Sequence, residues 1–125
     1  MVGSVLNALL HGSWQPYATG TAAVLGFLVF GPIAEELLFR GAVFELAKRA
    51  FPQSTAAPIA ISAVLFSAYH LQIPGYEVTP FVLFQLAFTL PLGVVLATQR
   101  TWTGSLWPGL LLHIMTNAPH ALGLY

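Results

Sequence analysis

Long apolar stretches, separated by a few charged residues, form the dominant pattern of this chain. The uncharged stretches are residues 1–34, 50–76, 78–99 and 101–125. Each exceeds the roughly 20 residues that a helix needs to cross the bilayer core. A membrane-spanning strand would alternate apolar and polar positions over about ten residues, whereas these stretches are continuously apolar. The pattern therefore predicts an all-α membrane protein, a bundle of about four transmembrane helices.

Proline, glycine and polar residues set the expected helix boundaries. The four predicted helices cover approximately residues 17–49, 55–71, 78–98 and 104–122. Kinks are expected at Gly31-Pro32 and at Pro91, and Thr103 or Ser105 is expected near the N-cap of the last helix.

The chain is also expected to divide into two parts. Residues 1–16 are too polar and too broken to predict a further span. They form an N-terminal polar segment before a transmembrane core of residues 17–125.

Basic residues predict which loops share a side of the membrane. Lys48 and Arg49 follow the first helix, and Arg100 follows the third. In an up-and-down bundle these two loops lie at the same end, which the positive-inside rule makes cytoplasmic. Trp102 and Trp107 suit an interfacial aromatic belt at that end.

Composition supports an integral, multi-pass membrane protein and excludes several classes of function. The chain is 57% apolar and only 6% charged, against about 25% charged residues in soluble domains. Its net charge of zero gives no electrostatic basis for binding nucleic acid. It has no cysteine, which excludes disulfides and thiolate metal sites.

Two adjacent carboxylates, Glu35 and Glu36, interrupt the apolar pattern. A carboxylate in hydrocarbon costs roughly 2.5 kcal/mol or more, so folding alone does not explain the pair. Glu36 and Arg40 are four residues apart and can form an ion pair on one helix face. Glu35 lies about 100° away and has no partner within the helix. A structural network of all three residues is one interpretation; Glu35 as a general base is the other.

Three further polar residues lie on other predicted helices. His70 ends the second helix, and His113 and Asn117 share a face of the fourth. Each has an ordinary explanation as well, because a histidine at a helix end is commonly structural and a His/Asn pair can be an interhelical hydrogen bond. His11 and His120 lie near predicted helix ends and are expected to be structural or interfacial.

The polar residues on the three helices are predicted to lie at a similar depth in the membrane. From the Lys48/Arg49 end, Glu35 and His70 lie about 20 and 22 Å deep. His113 and Asn117 lie about 14 and 20 Å deep, measured from the start of the fourth helix on the same side. All four fall near the middle of a ~30 Å core. We therefore expect them to converge on one inward cavity between three helices.

These residues resemble the motifs of the CPBP family, also called the Abi or type II CAAX prenyl endopeptidase family of intramembrane proteases. The three motifs of that family are Glu-Glu-x-x-x-Arg, Phe-x-x-x-His and His-x-x-x-Asn. In this sequence they read Glu35-Glu36-Leu37-Leu38-Phe39-Arg40, Phe66-Ser67-Ala68-Tyr69-His70 and His113-Ile114-Met115-Thr116-Asn117. The resemblance covers about residues 25–120. The family usually has additional helices upstream, where this chain has a short polar segment, which leaves a fragment and a minimal core as alternatives.

The resemblance implies an endopeptidase that acts on membrane-associated peptides or prenylated CAAX proteins; bacterial relatives are linked to bacteriocin processing and immunity. By that resemblance Glu35 activates a water, His70 helps to hold it, and His113 and Asn117 stabilise the oxyanion. Glu36 and Arg40 then orient the first motif.

Three alternatives remain open at this point, one of which is a small metal-binding or proton-handling membrane protein. The favoured mechanism needs no metal, but Glu35, His70 and His113 could instead bind Zn²⁺ with a water in the fourth position. A non-catalytic immunity or binding protein could use the same polar cluster to hold a peptide partner.

Overall fold

A computed structural model describes residues 20–71 and 80–121, and four helices account for most of them. These helices are α1, Thr21–Ala50; α2, Ala56–Tyr69; α3, Pro80–Thr103; and α4, Trp107–Ala121. No strand occurs in this part of the chain, so the predicted all-α class is confirmed. The N-terminal segment 1–16, the predicted start near Tyr17 and the side chain of His120 lie outside the described residues.

Two of the helices are long and apolar enough to cross a membrane. The candidate spans are Thr21–Ala50, with a mean hydropathy of 1.8, and Leu83–Thr103, with a mean hydropathy of 1.2. The shorter α2 is also apolar. Large apolar side chains on several helices face outward, while Glu36, Arg40 and His113 are buried. Lipid on the outside and paired polar groups inside explain this distribution.

The first helix contains two π-helical stretches that flank the carboxylates. Gly26–Phe30 and Leu37–Val43 are π-helical, and Gly31–Glu36 between them is α-helical. The N–H of Gly31 donates to the carbonyl of Gly26, five residues back, directly before Pro32. The structure thus has a π-helical turn where the sequence predicted a kink, and π turns inside helices often occur at functional sites.

The connection between α3 and α4 differs from the prediction. The third helix continues to Thr103 rather than 98, and the fourth begins at Trp107 rather than 104. Gly104, predicted to start α4, instead ends α3: it has φ of 66°, and its N–H donates to the Arg100 carbonyl over 3.0 Å. Of the two predicted caps, Ser105 accepts a hydrogen bond from the Trp107 N–H.

Close contacts hold the helices together at two places. The most extensive interface joins α2 and α3. There a Cβ on Gly93 would lie only 3.0 Å from Ala63 Cα, so the two backbones are in close contact. Arg100 Nη2 lies 2.8 Å from Glu45 Oε1, which places the ends of α3 and α1 together as predicted from the basic residues. The direction of the bundle in the membrane stays a prediction.

Candidate active site

The Glu36–Arg40 ion pair predicted from the i, i+4 spacing is present and fully buried. Arg40 Nη1 lies 3.1 Å from Glu36 Oε1, and the two residues are 0% and 2% exposed. Arg40 Nη2 donates to the carbonyl of Gly93 on α3 over 3.4 Å. The guanidinium also lies over the Phe66 ring, 4.1 Å from its centroid. Arg40 therefore links α1 to both neighbouring helices.

His113 contacts both glutamates from α4. Its Nδ1 lies 3.1 Å from Glu36 Oε1, and its Nε2 lies 3.5 Å from Glu35 Oε2. An ionised carboxylate only accepts hydrogen bonds, so Nδ1 is the donor to Glu36. A proton on Nε2 makes the contact with Glu35 attractive, whereas a lone pair there makes it repulsive. His113 therefore connects α4 to both carboxylates of α1.

Glu35 has no partner within its own helix, but His113 of α4 contacts it. Its side chain is 22% exposed, against 3% for Glu36. One carboxylate oxygen of Glu35 faces His113, and the residue lines an open cavity. Glu35 is thus the carboxylate of the pair that is accessible from the cavity.

His70 is held by its own helix. Its Nδ1 lies 2.8 Å from the carbonyl oxygen of Phe66, one turn earlier. Because a carbonyl can only accept, Nδ1 carries the hydrogen and Nε2 keeps its lone pair in the neutral ring. His70 lies at the end of α2 as predicted, where it is the C-cap residue directly after Tyr69.

Phe66 organises the site, although sequence reasoning gave it no role beyond its place in the motif. It is completely buried and presents its face to Arg40. Its ring packs edge-to-face with His70 at 4.8 Å and with His113 at 5.5 Å between centroids. Aromatic pairs of this geometry contribute about 0.5–1.5 kcal/mol beyond simple burial. The four-residue spacing from Phe66 to His70 was the signal for its role in the sequence.

The four predicted site residues line one cavity of about 250 Å³ between the helices. They are Glu35 from α1, His70 at the end of α2, and His113 and Asn117 from α4. The rest of the wall is largely aromatic and aliphatic; its side chains include Phe27, Phe66, Phe84, Phe88 and Leu92. Ligand sites are usually lined by apolar side chains with a few polar groups among them.

The third helix adds two polar residues to this cavity that the sequence did not single out. Gln85 and Thr89 both line it, and the Thr89 hydroxyl lies 3.1 Å from that of Ser67. No charged neighbour or ligand-like spacing distinguishes Gln85 along the chain. Only the packing of α3 against α1 and α4 reveals its place.

A metal would need a ligand set that is not assembled in this structure. No group of three His, Asp or Glu side chains able to hold an ion occurs within residues 20–71 and 80–121. His113 Nδ1 faces Glu36 and His70 Nδ1 faces a backbone carbonyl, so Nε2 is the nitrogen that each ring would offer a metal. Glu35, His70 and His113, predicted as the alternative Zn²⁺ set, all line the cavity but do not form such a group.

A family of known proteins matches most of the chain. The family model described as "Type II CAAX prenyl endopeptidase Rce1-like" matches residues 17–119, more than four fifths of the chain. Neither a curated protein nor a solved structure matches. A match of that extent shows that the chain belongs to the Rce1-like family, which confirms the resemblance identified from its three motifs.

Proposed function

From its membership of this membrane-embedded family of CAAX-type proteases, we propose that the protein is a multi-pass intramembrane endopeptidase in which Glu35 activates the attacking water. The observation that carries the proposal is the contrast between the two glutamates. Glu36 is enclosed by Arg40 and His113, whereas Glu35 opens on a cavity that His70, His113 and Asn117 also line.

The proposed reaction is hydrolysis of a peptide bond. Glu35 accepts a proton from a water held with the help of His70 Nε2, and the water oxygen attacks the carbonyl carbon. The carbonyl π-electrons move to its oxygen, and Asn117 Nδ2 and His113 Nε2 donate hydrogen bonds to the resulting oxyanion. The C–N bond then breaks, and the leaving amine takes the proton that Glu35 received.

The polar network behind the cavity supports this role for His113. With Nδ1 donating to Glu36, the imidazole has a fixed orientation and directs Nε2 toward Glu35. Preorganised donors act without reorganisation during the reaction, especially where bulk water is excluded. Glu36 and Arg40 are in this proposal positioning residues, which do not touch the substrate.

The cavity wall favours a substrate with an apolar group. Phe84 and Phe88 line it and are 42% and 47% exposed. A lipid-attached group such as a prenyl chain can therefore contact these rings. We propose a membrane-associated peptide or prenylated CAAX protein as the substrate.

Replacement of Glu35 tests the proposal most directly. In purified protein, Glu35→Gln is expected to reduce cleavage of a farnesylated CAAX peptide by about 10²–10⁴-fold, the range for loss of a general base. The matched control is Glu45→Gln, which removes a carboxylate from the same helix but outside the cavity. Mass spectrometry of the released tripeptide measures the rate. Wild-type cleavage by Glu35→Gln would contradict the assignment.

Two further arms address the alternatives. Peptide binding by the wild-type protein without any cleavage would favour the non-catalytic binding protein instead. Cleavage that a chelator abolishes and Zn²⁺ restores would favour the metal variant, whereas cleavage indifferent to both treatments supports activation by Glu35.

A further inference from the structure

A second cavity, of about 320 Å³, lies at the end of the bundle where α1 leads into α2 and α3 ends. It shares no lining residue with the candidate active site. Phe44 and Lys48 contribute from α1, Ser54 and Thr55 from the α1–α2 connection, and Arg100 from α3. The motifs that identify the protease site use none of these residues.

The charges around this cavity leave one cation uncompensated. Glu45 also lines it, but its carboxylate is paired with Arg100 Nη2 at 2.8 Å. The Arg100 guanidinium makes two more hydrogen bonds, to the carbonyls of Arg40 and Gly104. Lys48, in contrast, has no carboxylate partner among the described residues. An exposed ammonium is therefore available at the cavity.

Hydroxyl groups beside Lys48 supply neutral donors. Ser54 Oγ accepts a hydrogen bond from the Ala57 N–H over 3.0 Å, and this leaves its own hydrogen free to donate. Thr55 lies at the N-cap of α2, yet its side chain makes no capping hydrogen bond. Thr101 differs, because its hydroxyl hydrogen is already donated to the Ala97 carbonyl.

Exposed tryptophans near the cavity indicate the depth of lipid headgroups. Trp102 and Trp107, 82% and 76% exposed, lie near this end of the bundle. Exposed tryptophans are enriched at the membrane–water interface. Pockets between helices that carry a basic residue at this level bind anionic lipid headgroups. Phe44 and Pro58 give the cavity an apolar part that suits the carbon atoms next to a headgroup.

We propose that this cavity binds the phosphate group of an anionic phospholipid. The Lys48 ammonium neutralises the phosphodiester, and the Ser54 and Thr55 hydroxyls donate to its oxygens. Glu45 is kept from repelling the phosphate by its ion pair with Arg100. The site would fix one lipid against the α1–α2 connection, away from the proteolytic cavity.

Binding of phosphatidylglycerol to the purified protein in a zwitterionic detergent tests the proposal. We expect Lys48→Gln to weaken the lipid's apparent affinity about tenfold, the effect of losing one charge-assisted hydrogen bond. The matched control is Arg49→Gln, which removes the same charge from the adjacent residue outside the cavity. It is expected to bind as wild type does. Thr55→Val, a change of similar shape that spares the charge, is expected to weaken binding about threefold.

The other arms distinguish the sources of phosphate. Thermal unfolding in the presence of phosphatidylcholine or inorganic phosphate should show a smaller stabilisation than with phosphatidylglycerol. Equal stabilisation by inorganic phosphate would show that the ligand is a free anion rather than a lipid. Equal stabilisation by phosphatidylcholine would show that the site does not require a net negative charge on the lipid. Equal losses in Lys48→Gln and Arg49→Gln would overturn the site in favour of diffuse surface charge. Each measurement reads binding and is independent of protease activity.

Discussion

Glu35 and Glu36 are adjacent in the chain, but their carboxylates lie in two different regions of the molecule. Glu36 belongs to a closed polar network with Arg40 and His113, where its side chain is 3% exposed. Glu35 belongs to the cavity, where its side chain is 22% exposed. The rotation of about 100° between neighbouring helical residues separates the two environments. The difference teaches that two adjacent identical acids can divide into one enclosed in a polar network and one open to a cavity.

His113 is the residue that joins these regions. Its Nδ1 contacts the closed network and its Nε2 faces the cavity carboxylate, over 3.1 and 3.5 Å. A change in the network can therefore alter the cavity through one imidazole ring. The three predictions that follow test whether substitutions in the two regions have different effects on stability and on activity.

The largest effect on stability is expected from Glu36→Gln. The substitution keeps the shape but leaves the fully buried Arg40 charge without its counterion. Breaking one member of a buried pair costs about 3–5 kcal/mol. Unfolding in detergent, followed by circular dichroism over an SDS titration, measures the free energy. Glu35→Gln is the control, with an expected loss below about 1 kcal/mol because its side chain reaches the cavity. Similar losses in the two variants would show that the regions are not distinct.

A selective effect on catalysis is expected from Asn117→Ala. Loss of one oxyanion donor reduces kcat by about 10²–10³-fold, equivalent to about 2.7–4 kcal/mol. Stability should change little, since Asn117 lines the cavity and makes no hydrogen bond to another described residue. Thr116→Ala is the control on the same turn: its hydroxyl donates to the His113 carbonyl, and it does not line the cavity. If Asn117→Ala lowered the melting temperature enough to explain the lost activity, Asn117 would have a structural role instead.

A smaller effect is expected where α4 contacts the closed network through a glycine. A Cβ at Gly109 would lie 3.2 Å from Glu36 Oε2, an atom with no hydrogen-bond partner in the described part of the chain. Gly109→Ala should therefore cost about 1–3 kcal/mol of stability by overpacking.

The matched control is Gly41→Ala, at which a Cβ would lie an ordinary 3.9 Å from the Glu36 carbonyl oxygen. That change is expected to be neutral or to stabilise by up to about 1 kcal/mol, as alanine does relative to glycine in helices. The same unfolding titration compares the two alanine variants. Equal stability of both would mean that α4 can move away from Glu36 without loss.

Local features of the sequence were enough to predict most of the helices. The sequence pattern predicts the second helix at 55–71, and the structure has it at Ala56–Tyr69, because apolar length and flanking polar residues act within a few residues. The boundary at Gly104 was predicted wrongly. A glycine can begin a helix or end one in the left-handed conformation, and its φ of 66° depends on how the α3–α4 connection closes.

The sequence by itself determined the apolar spans, the Glu36–Arg40 pair and the common depth of Glu35, His70, His113 and Asn117, because these follow from helix geometry and spacing. Only the tertiary structure decided that His113 contacts both glutamates and that Gln85 joins the cavity. Those contacts depend on rotations of helices about their own axes. Such rotations are set by packing between helices, for instance by the close approach of Gly93 to Ala63, and no single helix encodes them.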